Sequence, residues 1–146
     1  MDHSQNRWGR ISWHARNDVG LSASNDCVAI THFCYILLMR YFSNDSYYLP
    51  ILYEFWNSFF TLTLGLMMEF EGTRDFRKGL LNRYTMDWYK VNASRKSAPA
   101  FILPFQTAIH LAKKFDERAN RVIQDILHEY GYLYLIQVRT FFLTVR

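Results

Sequence analysis

The chain has 146 residues, of which 50% are hydrophobic and 18% aromatic, and its 17 Lys plus Arg against 13 Asp plus Glu give a formal net charge of +4. This length supports one domain rather than two independent cores. The apolar content, with only 6 Gly, 3 Pro and 2 Cys, excludes a disordered or collagen-like chain and a disulfide-rich secreted scaffold. A single helical domain over 1–146 is therefore predicted.

The N-terminal segment favours an intracellular protein. Its first 20 residues contain no apolar run of the length that a signal peptide needs. Arg7, Arg10 and Arg16 in this acidic-poor segment are also compatible with a mitochondrial transit peptide. Cys27 and Cys34, seven residues apart, would lie about 10 Å apart along a helix, which is too far for a disulfide. We therefore expect free thiols in a reducing compartment, with 1–22 as an extended N-terminal arm.

Two strongly apolar helices are predicted in the first half of the chain. Ser24-Asn25-Asp26 supplies N-cap residues for a helix over 27–42, and Pro50 suits the first turn of a helix over 50–71, which Gly72 would end. The second helix is apolar almost all round, which is typical of the central helix of a bundle. Its uncharged stretch, 55–68, is shorter than the roughly 20 residues of a membrane span. Membrane insertion of 27–42 and 47–71 remains the alternative.

Two further helices are predicted in the second half. Thr73 provides an N-cap for an amphipathic helix over 74–91. The polar residues from 92 to 99 predict a loop, and Pro104 opens a helix that ends at Gly131. The tail, 132–146, is ambiguous and is assigned as helical. The predicted fold class is all-α, a compact bundle of four to six helices around the central hydrophobic helix at about 50–71.

Charge is distributed unevenly along the chain. Residues 17–73 carry a net charge of −5, whereas 74–96 carry +5. A basic helix-loop face at 74–96 could neutralise phosphates of a nucleic acid, with an aromatic side chain for stacking. The same face could instead bind an acidic protein surface or an anionic membrane, or be an ordinary solvated face. The predicted partner-binding residues are Arg74, Arg77, Lys78, Trp88, Arg95 and Lys96.

A second polar stripe lies on the helix predicted over 104–130. Arg121 and His128 are seven residues apart and share a face, so together they could stabilise a scissile phosphate and transfer a proton. This stretch resembles the Arg-x(4–6)-His motif of the HEPN ribonucleases, small helical domains that typically dimerise to build their site. Val122 departs from that motif, which usually has a polar residue after the arginine. The resemblance covers eight residues and implies a metal-independent ribonuclease.

The remaining patterns favour a non-enzymatic protein. The five histidines show no metal-ligand spacing, and the glycines form no phosphate-binding loop. No metal and no cofactor are therefore expected. The leading hypothesis is a helical adaptor that binds an acidic macromolecule, as a homo-oligomer or within an obligate complex. The ribonuclease and a small subunit of a membrane-associated complex are the alternatives.

Overall fold

The structure is a computed structural model that describes the backbone of residues 6–7, 10–16 and 18–144 and the side chains of 10–16, 18–80 and 82–138. Four α-helices account for most of this described part, so the all-α fold class is confirmed. The chain divides into two compact units, Met1–Tyr48 and Leu49–Arg146. A single domain over 1–146 stays a prediction.

The first unit contains one long helix. The strands β1 (Asn6–Arg7) and β2 (Arg10–Ile11) pair antiparallel, and α1 (Ser22–Phe42) follows a short 3-10 turn. This helix ends where the sequence predicts but begins five residues earlier than 27. The predicted caps therefore lie in its first two turns, where Asp26 accepts a hydrogen bond from the Trp13 indole at 2.9 Å.

The helix α2 (Tyr48–Arg77) lies in the second unit except for its first residue, and it continues past the predicted stop at Gly72. Ile51, Ser58 and Gly65 are buried at seven-residue intervals, which marks a narrow packed face. Elsewhere large apolar side chains are exposed, including Trp56 at 68%. Within this unit α2 therefore packs mainly through one narrow stripe.

A corner of irregular backbone replaces the middle of the helix predicted over 74–91. After α2 ends, Gly79 has a φ of +75°, a conformation that glycine adopts without strain. A 3-10 turn, Leu81–Arg83, follows, and α3 (Met86–Leu111) begins after its N-cap, Thr85. The Thr85 hydroxyl accepts a hydrogen bond from the Trp88 backbone N–H at 3.2 Å.

The prediction of a loop over 92–99 is wrong, because α3 continues without interruption through these residues. This segment contains five buried residues, and two further residues of α3 are buried as well. Pro99 and Pro104 both lie inside the helix, where each lacks the backbone N–H of a normal helical residue. The helix α3 contacts both α2 and α4 and holds most of the buried side chains of this unit. They are Asn92, Ala93, Ser97, Ala98, Pro99, Ile102 and Gln106.

The helix predicted over 104–130 is divided by a turn, and α4 (Glu117–Thr144) runs antiparallel to α3. Asp116 caps α4 by accepting a hydrogen bond from the Ala119 backbone N–H at 2.7 Å. The helix passes through Gly131 and continues to Thr144, in agreement with the helical assignment of the tail as far as the described residues extend. Within the described part of the chain, no helix has both the length and the hydropathy that a membrane span requires.

Candidate functional site

An enclosed ion pair joins α2 to α3. The Lys96 ammonium donates to a Glu69 carboxylate oxygen at 2.5 Å, and the two side chains are only 16% and 27% exposed. Gly65 allows Lys96 on α3 to lie this close to α2, since a β-carbon at Gly65 would come within 2.9 Å of Lys96 Cγ. The pair holds an ammonium group at the helix crossing, where reduced contact with water strengthens its attraction for anions.

A polar cleft lies along the contact between α3 and α4. Ser94 Oγ and His128 Nδ1 share a hydrogen bond of 2.7 Å. Both line a cavity of about 330 Å³, together with the basic side chains of Lys90 and Arg95. Arg95 also donates to the Met68 sulfur at 3.2 Å, so its guanidinium is directed towards α2. The Glu129 carboxylate also lines the cleft, so its wall carries charges of both signs.

An apolar groove runs further along the same two helices. Its volume is about 480 Å³, within the range of about 300–1,000 Å³ that is common for small-molecule sites. The Phe101 ring packs nearly perpendicular to the rings of Tyr130 and Tyr134, with centroid distances of 4.9 and 5.4 Å. The lining is apolar or aromatic throughout, and its residues are Ala100, Phe101, Pro104, Phe105, Ala108, Ile126, Leu127 and Tyr130.

The residues predicted to form a basic face are divided between α2, the following corner and α3. Arg74 lies at the exposed end of α2 and pairs with Glu71 and Asp75. Arg77 ends α2, and Lys78 follows in the turn. Arg95 and Lys96 lie more than two turns inside α3 and are directed towards α2.

Trp88 is half-buried, so it is not the open stacking surface that the sequence suggests. Its ring meets Tyr84 edge-on at a centroid distance of 4.6 Å. It also lies over Gly72, whose β-carbon, if present, would be 3.0 Å from Trp88 Cη2. This packing fixes the indole between α2 and α3.

The side chains of the predicted ribonuclease pair contact different partners. Arg121 is 73% exposed and pairs with Glu117 one turn before it on α4. His128 instead contacts Ser94 on α3. The structure therefore brings His128 to a cleft between two helices and leaves Arg121 in a local surface ion pair.

Sequence reasoning missed Glu69 and Ser94 as site residues. Glu69 lies 27 residues before Lys96, and Ser94 lies 34 residues before His128. No helical spacing connects positions so far apart, so only the helix packing brings these pairs together.

Comparison with known proteins identifies the family. The model of the family described as polyprenyl synthetase matches residues 1–138. The chain belongs to the polyprenyl synthetase family. Farnesyl pyrophosphate synthases of Mus musculus and Homo sapiens are 33% and 31% identical to it over 142 residues, covering 94% of this chain and 39% and 33% of those proteins. A probable farnesyl diphosphate synthase of Dictyostelium discoideum is 29% identical over 143 residues, covering 94% of this chain and 40% of that protein.

This polyprenyl synthetase chain thus spans about two fifths of the length of the first curated relatives it matches. Membership of an isoprenoid-synthesising family overturns the non-enzymatic adaptor, its nucleic-acid and protein-interaction roles, and the HEPN-like ribonuclease. The adaptor hypothesis is wrong because it treats a local excess of basic residues as one continuous binding face. In the folded helices these residues instead serve different contacts.

The acidic residues of this polyprenyl synthetase chain bear on its capacity to hold a metal. Mg²⁺ commonly accompanies phosphate groups and is held by one or two protein carboxylates. Among the described residues, His, Cys, Asp and Glu do not gather in groups of three or more. Glu69 is bonded to Lys96, and Asp75 accepts from Tyr84 at 2.7 Å. These two carboxylates are therefore already engaged by protein side chains.

Proposed function

We propose that this chain forms part of an isoprenoid pyrophosphate synthase. The family match over residues 1–138 carries the proposal, and farnesyl pyrophosphate synthases are among the relatives. Farnesyl pyrophosphate joins an apolar hydrocarbon chain to a strongly anionic head group. A site for such a molecule needs a cationic end and an apolar wall, and α3 offers both.

Lys96 is the residue we assign to the pyrophosphate group. A lysine ammonium is a compact point charge that is well suited to phosphate oxygens. The Glu69 carboxylate holds this ammonium at the helix crossing before a ligand arrives. When a pyrophosphate oxygen binds, the ammonium can donate to it while Glu69 still restricts the orientation of the lysine side chain.

The apolar groove is the surface we assign to the hydrocarbon chain. Lys96, Ala100 and Pro104 are four residues apart and therefore follow one face of α3. Ala100 begins the groove about 6 Å further along the helix axis than Lys96. A head group at Lys96 would thus leave the attached chain beside Phe101 and Tyr130, where contact with apolar side chains removes it from water.

Binding to the purified chain tests this assignment. We expect Lys96→Met to reduce the affinity for farnesyl pyrophosphate about tenfold or more, because a charged hydrogen bond is lost. Binding of farnesol, which lacks the pyrophosphate, should change little. The matched control is Lys114→Met, an exposed lysine beyond the end of α3. An equal loss of affinity for farnesyl pyrophosphate and farnesol, or an unchanged affinity for farnesyl pyrophosphate, would show that Lys96 does not bind the head group.

Synthesis is tested separately from binding. The protein is incubated with shorter isoprenoid pyrophosphates and Mg²⁺, and the products are separated by chain length. We expect a longer isoprenoid pyrophosphate together with released inorganic pyrophosphate. Failure to form it, with binding of farnesyl pyrophosphate intact, would restrict this chain to a binding role.

A further inference from the structure

A second cavity lies between the C-terminal half of α2 and the beginning of α3. Its volume is about 300 Å³, and four aromatic side chains form much of its wall. The remaining lining is small or polar, and apart from Glu69 it shares no residue with the groove and the ion pair assigned above. The lining residues are Glu69, Gly72, Thr73, Phe76, Tyr84, Trp88, Tyr89 and Asn92.

The aromatic wall is held in place by contacts within this unit. The Tyr84 hydroxyl donates to Asp75 at 2.7 Å, which fixes one ring. Trp88 stands perpendicular to Tyr84, with an interplanar angle of 86°, and lies against Gly72. The cavity is therefore built by packing that is present without a ligand.

Asn92 supplies the observation that points to a ligand. The residue is 4% exposed, and its Oδ1 atom has no hydrogen-bond partner among the described residues. Asn92 also lines the aromatic cavity. A buried amide oxygen without a donor is costly, so such groups are usually satisfied by a water molecule or a ligand.

The chemistry of the lining selects the class of ligand. Aromatic faces attract cations through their negative quadrupole. The Asn92 oxygen accepts hydrogen bonds, whereas the Glu69 carboxylate in the lining is already compensated by Lys96, so the aromatic faces and Asn92 provide the recognition. We propose that this cavity binds a small organic ammonium ion, with an N–H group donating to Asn92 and the charge facing Trp88 and its aromatic neighbours. This inference does not depend on the proposed synthase function.

Three probes of similar size separate the contributions. The ligand n-butylammonium has both charge and N–H groups, tetramethylammonium has charge alone, and 1-butanol is neutral. Binding is followed through the Trp88 indole N–H resonance of the ¹⁵N-labelled full chain at constant chloride concentration. We expect saturable binding with the order n-butylammonium, then tetramethylammonium, then 1-butanol. Absence of saturable binding, or equal affinity for all three, would overturn the proposal.

Substitution of Asn92 tests the hydrogen bond. Asn92→Leu should reduce n-butylammonium affinity about tenfold and leave tetramethylammonium affinity nearly unchanged. The matched control is Asn57→Leu, at an exposed position of α2. Circular dichroism checks that both variants fold, and the tetramethylammonium titration confirms that the cavity persists. Unchanged n-butylammonium affinity in a folded Asn92→Leu variant would contradict the assignment.

Discussion

Gly131 of α4 lies directly against the backbone of Ala98 on α3. A β-carbon at Gly131 would come within 2.7 Å of the Ala98 nitrogen and 2.8 Å of its Cα. Ser97 strengthens the same contact, because its hydroxyl oxygen is 2.6 Å from the carbonyl oxygens of both Ala93 and Gly131. One hydroxyl proton can serve only one of these acceptors at a time. The two helices thus meet through backbone and small side chains.

The variant Gly131→Ala tests this close approach. The added methyl group meets backbone atoms, which cannot rotate away, so α3 and α4 must separate. We expect a loss of stability of about 1–3 kcal/mol, measured by urea unfolding. Asp125→Ala, on an exposed part of α4, serves as the control and should remain within about 0.5 kcal/mol of the wild type. A neutral or stabilising Gly131→Ala would disprove the crossing geometry.

The contact between Gly131 and Ala98 shows why glycine positions are difficult to interpret from sequence alone. Apolar periodicity correctly indicates an all-α chain, and the polar residues 43–46 correctly indicate the end of α1. The sequence predicts helix ends at Gly72 and Gly131 because an isolated glycine is a weak helix former. In the structure Gly131 makes room for the backbone of Ala98 and Gly72 makes room for the Trp88 ring, and both contacts depend on residues distant in the sequence.

The segment 92–99 illustrates a related difficulty. Polar and proline residues favour a loop when they are considered locally. In α3 the polar side chains instead make specific contacts, with Ser97 facing Gly131 and Lys96 facing Glu69. The favourable energy comes from tertiary packing, which local propensity does not contain. The sequence therefore predicts the candidate site only in part, since it identifies Lys96 but places it in a loop.

Asp75 provides a prediction about acid stability. The hydrogen bond from Tyr84 is the main cause that lowers its carboxyl pKa, opposed by burial and assisted by Arg74, Arg83 and Lys78. A lowered folded-state pKa stabilises the fold above the unfolded value of about 3.9, and this contribution is lost as the pH falls through the folded pKa. We expect Asp75→Asn to reduce the free energy of unfolding at pH 7. The further loss of stability below pH 4 should be smaller in this variant than in the wild type.

Urea unfolding between pH 2 and 7 measures the Asp75 effect. Asp125→Asn, an exposed acidic position on α4, is the control and should show nearly the wild-type pH dependence. If Asp75→Asn retains the full wild-type decline below pH 4, the Tyr84 hydrogen bond does not stabilise the ionised form.

Ionisation of Glu54 should have the opposite effect on stability to ionisation of Asp75. It lies half-buried on apolar α2, and burial raises its pKa. The folded state therefore retains a proton more strongly than the unfolded state, so stability falls as the pH rises from about 4.3, the unfolded value, through the folded pKa. Glu54→Gln should raise Tm at pH 7, and the difference should disappear below pH 4. Glu129→Gln, exposed on α4, should leave Tm nearly unchanged at both pH values. A lower Tm for Glu54→Gln at pH 7 would show that the ionised carboxylate is favourable.

The Lys96–Glu69 pair can be evaluated by a double-mutant cycle. Lys96→Met removes the ammonium and leaves a half-buried carboxylate, whereas Glu69→Gln leaves a half-buried ammonium. Removal of one member of an enclosed pair costs more than removal of both, since the remaining charge loses its compensation. We therefore expect each single variant to destabilise the fold and the double variant to cost less than the sum, with a coupling energy of about 0.5–3 kcal/mol. The exposed Arg121–Glu117 pair, treated in the same way, should give about 0.5 kcal/mol or less. Strict additivity at Lys96 and Glu69 would mean that the two charges do not stabilise each other across the helix crossing.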